Sequence, residues 1–262
     1  KTHQSAKIGE WFKTCGVNAI TVSSVQMAEY FATNGWDDIT LAFPVNILEI
    51  TNINHLAAHI KLNVLVENEE AVKALLKDTT NPLGVYLKID TGYMRTGISS
   101  LNTGLMNTLL DLISKNKYLT FKGFLSHAGH TYQSKTTNEI CSRHFDALIK
   151  LNSLKDRYIK SYPKVEISIG DTPSTTFCDN FDGVDEIRPG NFVFYDLMQH
   201  MLGVCKLKDV GVKLVCPVVS KHPLRNEIII YGGAVHFSKE SIININVDVD
   251  YIGSDIVEDL IV

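Results

Sequence analysis

Gly84-Val-Tyr-Leu-Lys-Ile-Asp-Thr-Gly-Tyr-Met-Arg-Thr-Gly-Ile98 is the stretch from which the rest of the chain can be read. Its first half, through Ile89, is rich in β-branched and aromatic residues and predicts a strand. Its second half, Asp90 to Gly97, changes abruptly to turn formers and charge, a polar cluster set at a strand's end. The pairing recurs in both directions. Upstream, strands are expected at Ala19–Ser24, Asp38–Pro44 and Leu62–Val66; downstream, at Leu119–Leu125, Val165–Ile169 and Glu186–Ile187. Helical patterns fall between them. One carries Met27, Ala28 and Phe31 on one side and closes at Asn34-Gly35, where glycine can supply a left-handed C-cap. Others run from Ile47 to His59, through Val72, Leu75 and Leu76, from Leu105 to Ile113 and from Thr136 to Leu154, with a short loop or helix after Ile169. Strands alternating with helices argue for parallel βαβ units.

These strands number seven, and a (β/α)8 barrel of the TIM type needs eight. A further strand upstream, ending at Lys1, would close the barrel, so the sequence is read as a window from a longer protein. In such barrels chemistry sits at the C-terminal strand ends. The clusters Lys1–Ser5, Asp90–Gly97, Ser126–Tyr132, Gly170–Thr175 and Arg188–Asn191 are therefore expected to share one mouth. Beyond Met201 the rhythm changes. Val210–Val219, Glu227–Tyr231 and Ile242–Tyr251 read as strands without intervening helices, which predicts a barrel over 1–200 and the start of a β-rich C-terminal domain over 201–262, unfinished at Val262.

Composition narrows the function. With 262 residues, 45% hydrophobic and 21% charged, the chain can bury a large core, and its net charge of -4 gives no reason to expect nucleic acid or an anionic membrane as partner. A small-molecule substrate is the default. The five cysteines, Cys15, Cys141, Cys178, Cys205 and Cys216, are odd in number and contain no C-x-x-C pair, which suits core thiols in a reducing compartment, the cytoplasm. No apolar run reaches the roughly 20 residues of a membrane span.

The motifs together bear a resemblance. Lys88-Ile-Asp-Thr-Gly-Tyr-Met-Arg-Thr-Gly-Ile98 resembles the K-x-D-T-G-x-x-R-x-G segment of pyridoxal-phosphate enzymes of the alanine racemase fold type. Glu186-Ile-Arg-Pro-Gly-Asn191 resembles that group's phosphate-side turn, and Lys1-Thr-His-Gln-Ser5 its cofactor-lysine stretch, with Gln4 where relatives often carry a second lysine. Within the group, Ser126-His-Ala-Gly-His-Thr-Tyr132, Gly170-Asp-Thr-Pro-Ser174 and Phe194-Tyr-Asp196 are most similar to the D-serine dehydratase and D-threonine aldolase branch.

The resemblance implies a cofactor, pyridoxal 5'-phosphate, held as a Schiff base by Lys1, which would return as an acid/base when substrate displaces it. It implies Arg95 beside the cofactor's phenolic oxygen, where a permanently charged guanidinium keeps that oxygen ionised. Arg188, Gly190 and Asn191 would form the phosphate turn, and Gly170, Asp171 and Thr172 either a second part of it or the contact to the pyridine nitrogen. His127 would lie against the ring with Tyr132 nearby, either one relaying protons. His130 and His3 are weighed between structure and function. His55, His59, His144, His200, His222 and His236 read as structural, and Asp248 and Asp250 as a solvated strand face. The branch also uses a divalent metal, zinc or manganese/magnesium, bound by a His-x-Cys or His-x-Asp pair in the C-terminal domain, and no such pair occurs in residues 201–262.

The function implied is a lyase acting on a D-β-hydroxy amino acid, with the Ser126–Tyr132 motif favouring a D-serine dehydratase that yields pyruvate and ammonia. Alternatives are a D-threonine aldolase, an amino-acid racemase and a non-catalytic protein of pyridoxal-phosphate homeostasis; the apparent domain after Met201 argues against the last. A homodimer is implied, as partner residues often complete such sites.

Overall fold

The computed structural model describes residues 3–232. Contacts divide the chain after Gly190 into two units. The first opens with α1 (Ala6–Thr14), β1 (Ile20–Val22), α2 (Val25–Thr33) and β2 (Asp38–Pro44). A 3-10 turn at Ile47–Glu49 leads into α3 (Ile50–Ala57), followed by β3 (Lys61–Val66), α4 (Glu69–Asp78) and β4 (Leu83–Asp90). Then come a short β5 (Ile98–Ser99), α5 (Thr103–Ile113), β6 (Leu119–Ser126), α6 (Thr137–Tyr158), β7 (Glu166–Ile169), α7 (Thr172–Phe177) and β8 (Glu186–Ile187).

All of these helices but α3 start where a side chain satisfies an orphan N–H group of the first turn. Ser24 accepts from Met27, Asn68 from Ala71, Asn102 from Leu105 and Thr136 from Glu139. Ser5, the last residue of the Lys1–Ser5 stretch, caps α1 by accepting the Ile8 N–H. That helix was not anticipated from the sequence.

The sheet runs β1-β2-β3-β4-β6-β7-β8, with β5 attached to β4, and every pairing in it is parallel. The closing strand expected upstream of Lys1 lies outside the described residues. Because side chains alternate along a strand, one face of this sheet is apolar throughout. Ile39, Val64, Val66, Val85, Leu87, Ile89, Phe124 and Ile167 join the helices in the main core. Each such side chain contributes about 1.5–3 kcal/mol when fully buried. Leu65, Tyr86 and Leu125 form a separate small cluster with Ala42 on the opposite, inner face. Lys88, two residues beyond Tyr86 on β4, therefore shares that inner face.

The second unit contains α8 (Leu197–Met201) and an antiparallel pair, β9 (Val218–His222) and β10 (Glu227–Ile230). The strand expected from Val210 begins only at Val218. Residues 210–217 have an alternating apolar pattern but no partner strand among the described residues, and Val212 and Val215 stand exposed. The expected strand Ile242–Tyr251, with Asp248 and Asp250, and His236 lie outside the described residues.

Candidate active site

The inner face changes character toward the C-terminal strand ends. Arg188, just beyond β8, has a side chain only 8% exposed. Its Nε donates to Ser168 Oγ at 2.7 Å, and Nη2 donates to the Ser126 carbonyl at 2.5 Å. Glu186, two residues back and so on the same face, lies 3.5 Å from Nε and accepts the Ser168 hydroxyl. Three strands are thus tied together by one buried cation. Burial opposes its charge, and Glu186 is the first of the groups that restore it.

Lys88 is 4% exposed. Burial, then Arg188 and Arg95, lower its ammonium to about 8, with Glu67 and Asp90 acting in the opposite sense. His127 follows β6 directly, and its Nδ1 donates to the Gly170 carbonyl at 2.6 Å. Burial is the main cause that takes its pKa to about 4, helped by the charges of Arg188, Lys88 and Arg95 and opposed by the Gly170 bond. The imidazole is therefore neutral at physiological pH.

The loop after β4 is shaped by its own aspartate. Asp90 accepts the Gly92 N–H at 2.9 Å and the Met94 N–H at 3.1 Å, an Asx-type turn that brings Arg95 back over the strand end. Gly97 has φ of +116°, and a Cβ there would lie 2.6 Å from the Asp90 nitrogen, so the return to β5 needs glycine. Arg95 is exposed, with its guanidinium 5.0 Å from the Tyr93 ring centre. Tyr93 meets His127 edge-on at 5.9 Å, and Tyr132 lies 6.3 Å from His127 on a tilted ring.

Thr172 donates its N–H to the Tyr132 hydroxyl at 3.2 Å. Asp171 caps α7 through the Ser174 N–H and accepts the Thr131 hydroxyl at 2.8 Å, so its carboxylate is used in holding two loops together. Burial pushes it above the ordinary carboxylate range. Gly170 admits no side chain: a Cβ would sit 2.6 Å from the Arg188 carbonyl oxygen.

Of the residues singled out in the sequence, Arg95, His127, Tyr132, Gly170, Thr172 and Arg188 come together in the first unit. Gly190 ends that unit. Asn191 begins the second, where its side chain donates to Asp196. Lys1 lies outside the described residues. His130 has a lowered pKa from burial and the nearby Arg143, and its Nδ1 is buried without a partner among the described residues. Lys88, Tyr93, Ser168 and Glu186 were not anticipated as site residues. Period-2 alternation down from Asp90 would have placed Lys88 on the inner face. Among the described residues no group of three or more His, Cys, Asp or Glu could hold a metal ion, and no helix is long and apolar enough to cross a membrane.

Comparison with known proteins bears on the family and the fold. The chain is 32% identical to a D-serine dehydratase of Dictyostelium discoideum, over 92% of this chain and 66% of that protein. It is 25% identical to a D-threo-3-hydroxyaspartate dehydratase of Delftia sp. (strain HT23), over 92% of this chain and 64% of the relative. A solved structure of D-threo-3-hydroxyaspartate dehydratase, a mutant in the metal-free form, superposes with a TM-score of 0.79 at 25% identity, over 91% of this chain and 64% of that one. The chain thus spans just under two thirds of the length of these relatives. The model of the alanine racemase N-terminal domain matches residues 1–197, and the chain belongs to that family.

Proposed function

We propose that this chain is the cofactor-binding part of a pyridoxal 5'-phosphate-dependent lyase that acts on D-β-hydroxy amino acids, converting D-serine to pyruvate and ammonia. The observation that carries the reading is a neutral His127, with its tautomer fixed by Gly170, set in the field of Lys88, Arg95 and Arg188 at the ends of parallel strands. The dehydratases named above support the choice of reaction.

The residues fit the cofactor. Its phosphate and phenolic oxygen are anionic, and three cations act on this site. Its ring is flat and aromatic, as are the side chains of Tyr93, His127 and Tyr132 around the strand ends. When bound, pyridoxal phosphate supplies an electron sink that eases removal of the substrate's α-proton and departure of its β-hydroxyl.

The chain's own residues do the rest. Lys1 is assigned as the amine that carries the cofactor. Arg95 keeps the phenolic oxygen ionised. Gly170, Thr172, Arg188 and Gly190 are assigned to cofactor binding. His127, donating through Nδ1, keeps Nε2 as a proton acceptor at neutral pH. Tyr132, whose hydroxyl accepts the Thr172 N–H, is assigned to pass a proton to the departing hydroxyl. A divalent metal, where the full-length protein carries one, would take its ligands from outside the described residues. A cytoplasmic homodimer belongs to the same proposal on family resemblance alone.

Product analysis on the full-length protein tests this reading. D-Serine should give pyruvate and ammonia in equal amounts. Glycine and acetaldehyde from D-threonine with no reaction of D-serine, or L-alanine from D-alanine, would replace the dehydratase with an aldolase or a racemase.

A further inference from the structure

Cys141 on α6 and Cys178, the residue that caps the C-terminal end of α7, bring their sulfur atoms to 2.6 Å across 37 positions of sequence. Both are thiols. The two are not equivalent. Cys141 is partly exposed and also donates to the Phe177 carbonyl at 3.6 Å, whereas Cys178 is 6% exposed. Burial, and then the adjoining Cys141, push the Cys178 thiol above its ordinary range. A reagent from solvent therefore meets Cys141 first, and the protonated Cys178 waits behind it.

This placement departs from the reading of the cysteines as uniformly core thiols, since only Cys178 and Cys216 are buried. It also bears on the candidate site. The segment from Gly170 to Cys178 is one braced piece: Asp171 caps its start, the Thr175 and Thr176 hydroxyls donate to the carbonyls of Asp171 and Thr172, and the Cys178 N–H donates to Ser174. Gly170 at one end holds His127, and Cys178 at the other touches α6.

We propose that Cys141 and Cys178 are an oxidation site, a dithiol that a small-molecule disulfide of the glutathione type converts into an intrachain cross-link between α6 and the end of α7. Cys141 gives up its proton to solvent, and its thiolate attacks one sulfur of the oxidised glutathione. A mixed disulfide forms and one glutathione thiolate leaves. Cys178 loses its proton and attacks the Cys141 sulfur, which releases the second glutathione. Two protein thiols are oxidised to one disulfide, and one small disulfide is reduced to two thiols. The link closes a loop containing β7 and α7, so it limits the unfolded chain and steadies the segment that carries Gly170. The inference is independent of the reaction assigned above.

The test is thiol mapping of the full-length protein after incubation with oxidised glutathione, with free thiols then alkylated and peptides separated without reductant. The expected result is a single peptide pair joined through Cys141 and Cys178, two hydrogens lighter than its parts and reopened by dithiothreitol. The melting temperature should rise by several degrees on oxidation in the wild type and stay unchanged in Cys141→Ser. Alkylation of both residues after oxidation, a glutathione adduct that stays on Cys141, or a cross-link to another cysteine would each overturn the proposal. If Cys141→Ser does not fold, Cys141→Ala replaces it, and the wild-type map decides the question by itself.

Discussion

The imidazole of His127 and the carbonyl of Gly170 lie 2.6 Å apart, joining the loop after β6 to the end of β7. A carbonyl oxygen can only accept, so the bond puts the imidazole proton on Nδ1 and leaves the lone pair on Nε2. The contact couples a backbone feature, the bare Gly170, to the protonation state of a side chain. It also makes the site's chemistry depend on the register of two adjacent strands.

One consequence is a defined acid sensitivity. The folded-state pKa of His127, about 4, is below its unfolded value of 6.5, so the unfolded chain takes up the proton first as pH falls. The stability is present above about pH 6.5 and is lost as pH falls toward 4, by up to about 3 kcal/mol. Thermal melts from pH 7 to pH 4 should show this loss, and His127→Gln should show a shallower one. His3 and His130 are shifted in the same direction, so the variant removes only part of the slope.

Gly170→Ala tests the strand-end geometry. The added methyl would meet the Arg188 carbonyl carbon at 2.8 Å and oxygen at 2.6 Å, and backbone cannot swing aside as a side chain can. A loss of about 1–3 kcal/mol is expected in urea denaturation. Pyridoxal phosphate retention should fall with it.

Much of this fold was legible because alternation and breaks are local. β2 and β8 occupy the residues expected of them, since Asp38–Pro44 and Glu186–Ile187 are each bounded by turn formers. The Lys88 position was harder. A lysine inside a strand ordinarily marks the solvent face, and only its place on the inner face of the sheet makes this one a buried cation. Residues 210–217 failed for the opposite reason. Their pattern is strand-like, but a strand is made by its partner, and no strand among the described residues pairs with them. The site's loops were legible as clusters, while the bonds that join them, such as Thr131 to Asp171, depend on tertiary contact.

Lys88→Met should separate stability from function. The pKa of this lysine, about 8, lies below its ordinary 10.5, so the wild type is penalised below pH 8 and gains stability as pH rises from 8 to 10.5. Replacement by an apolar chain of similar length is expected to stabilise the fold at pH 7 by about 1–3 kcal/mol. Titration of the same variant with pyridoxal phosphate should show weaker binding. A variant that is less stable at pH 7 would refute this account of Lys88.

The most direct measurement is borohydride reduction of the full-length protein loaded with pyridoxal phosphate, followed by peptide mapping of the pyridoxyl group. Two lysines compete on chemical grounds: Lys1, assigned from its sequence motif, and Lys88, buried with a lowered pKa on the inner face of the sheet. The account predicts the label on Lys1, with Lys88 unmodified. A label on Lys88 or on any other lysine, or none at all, would contradict it.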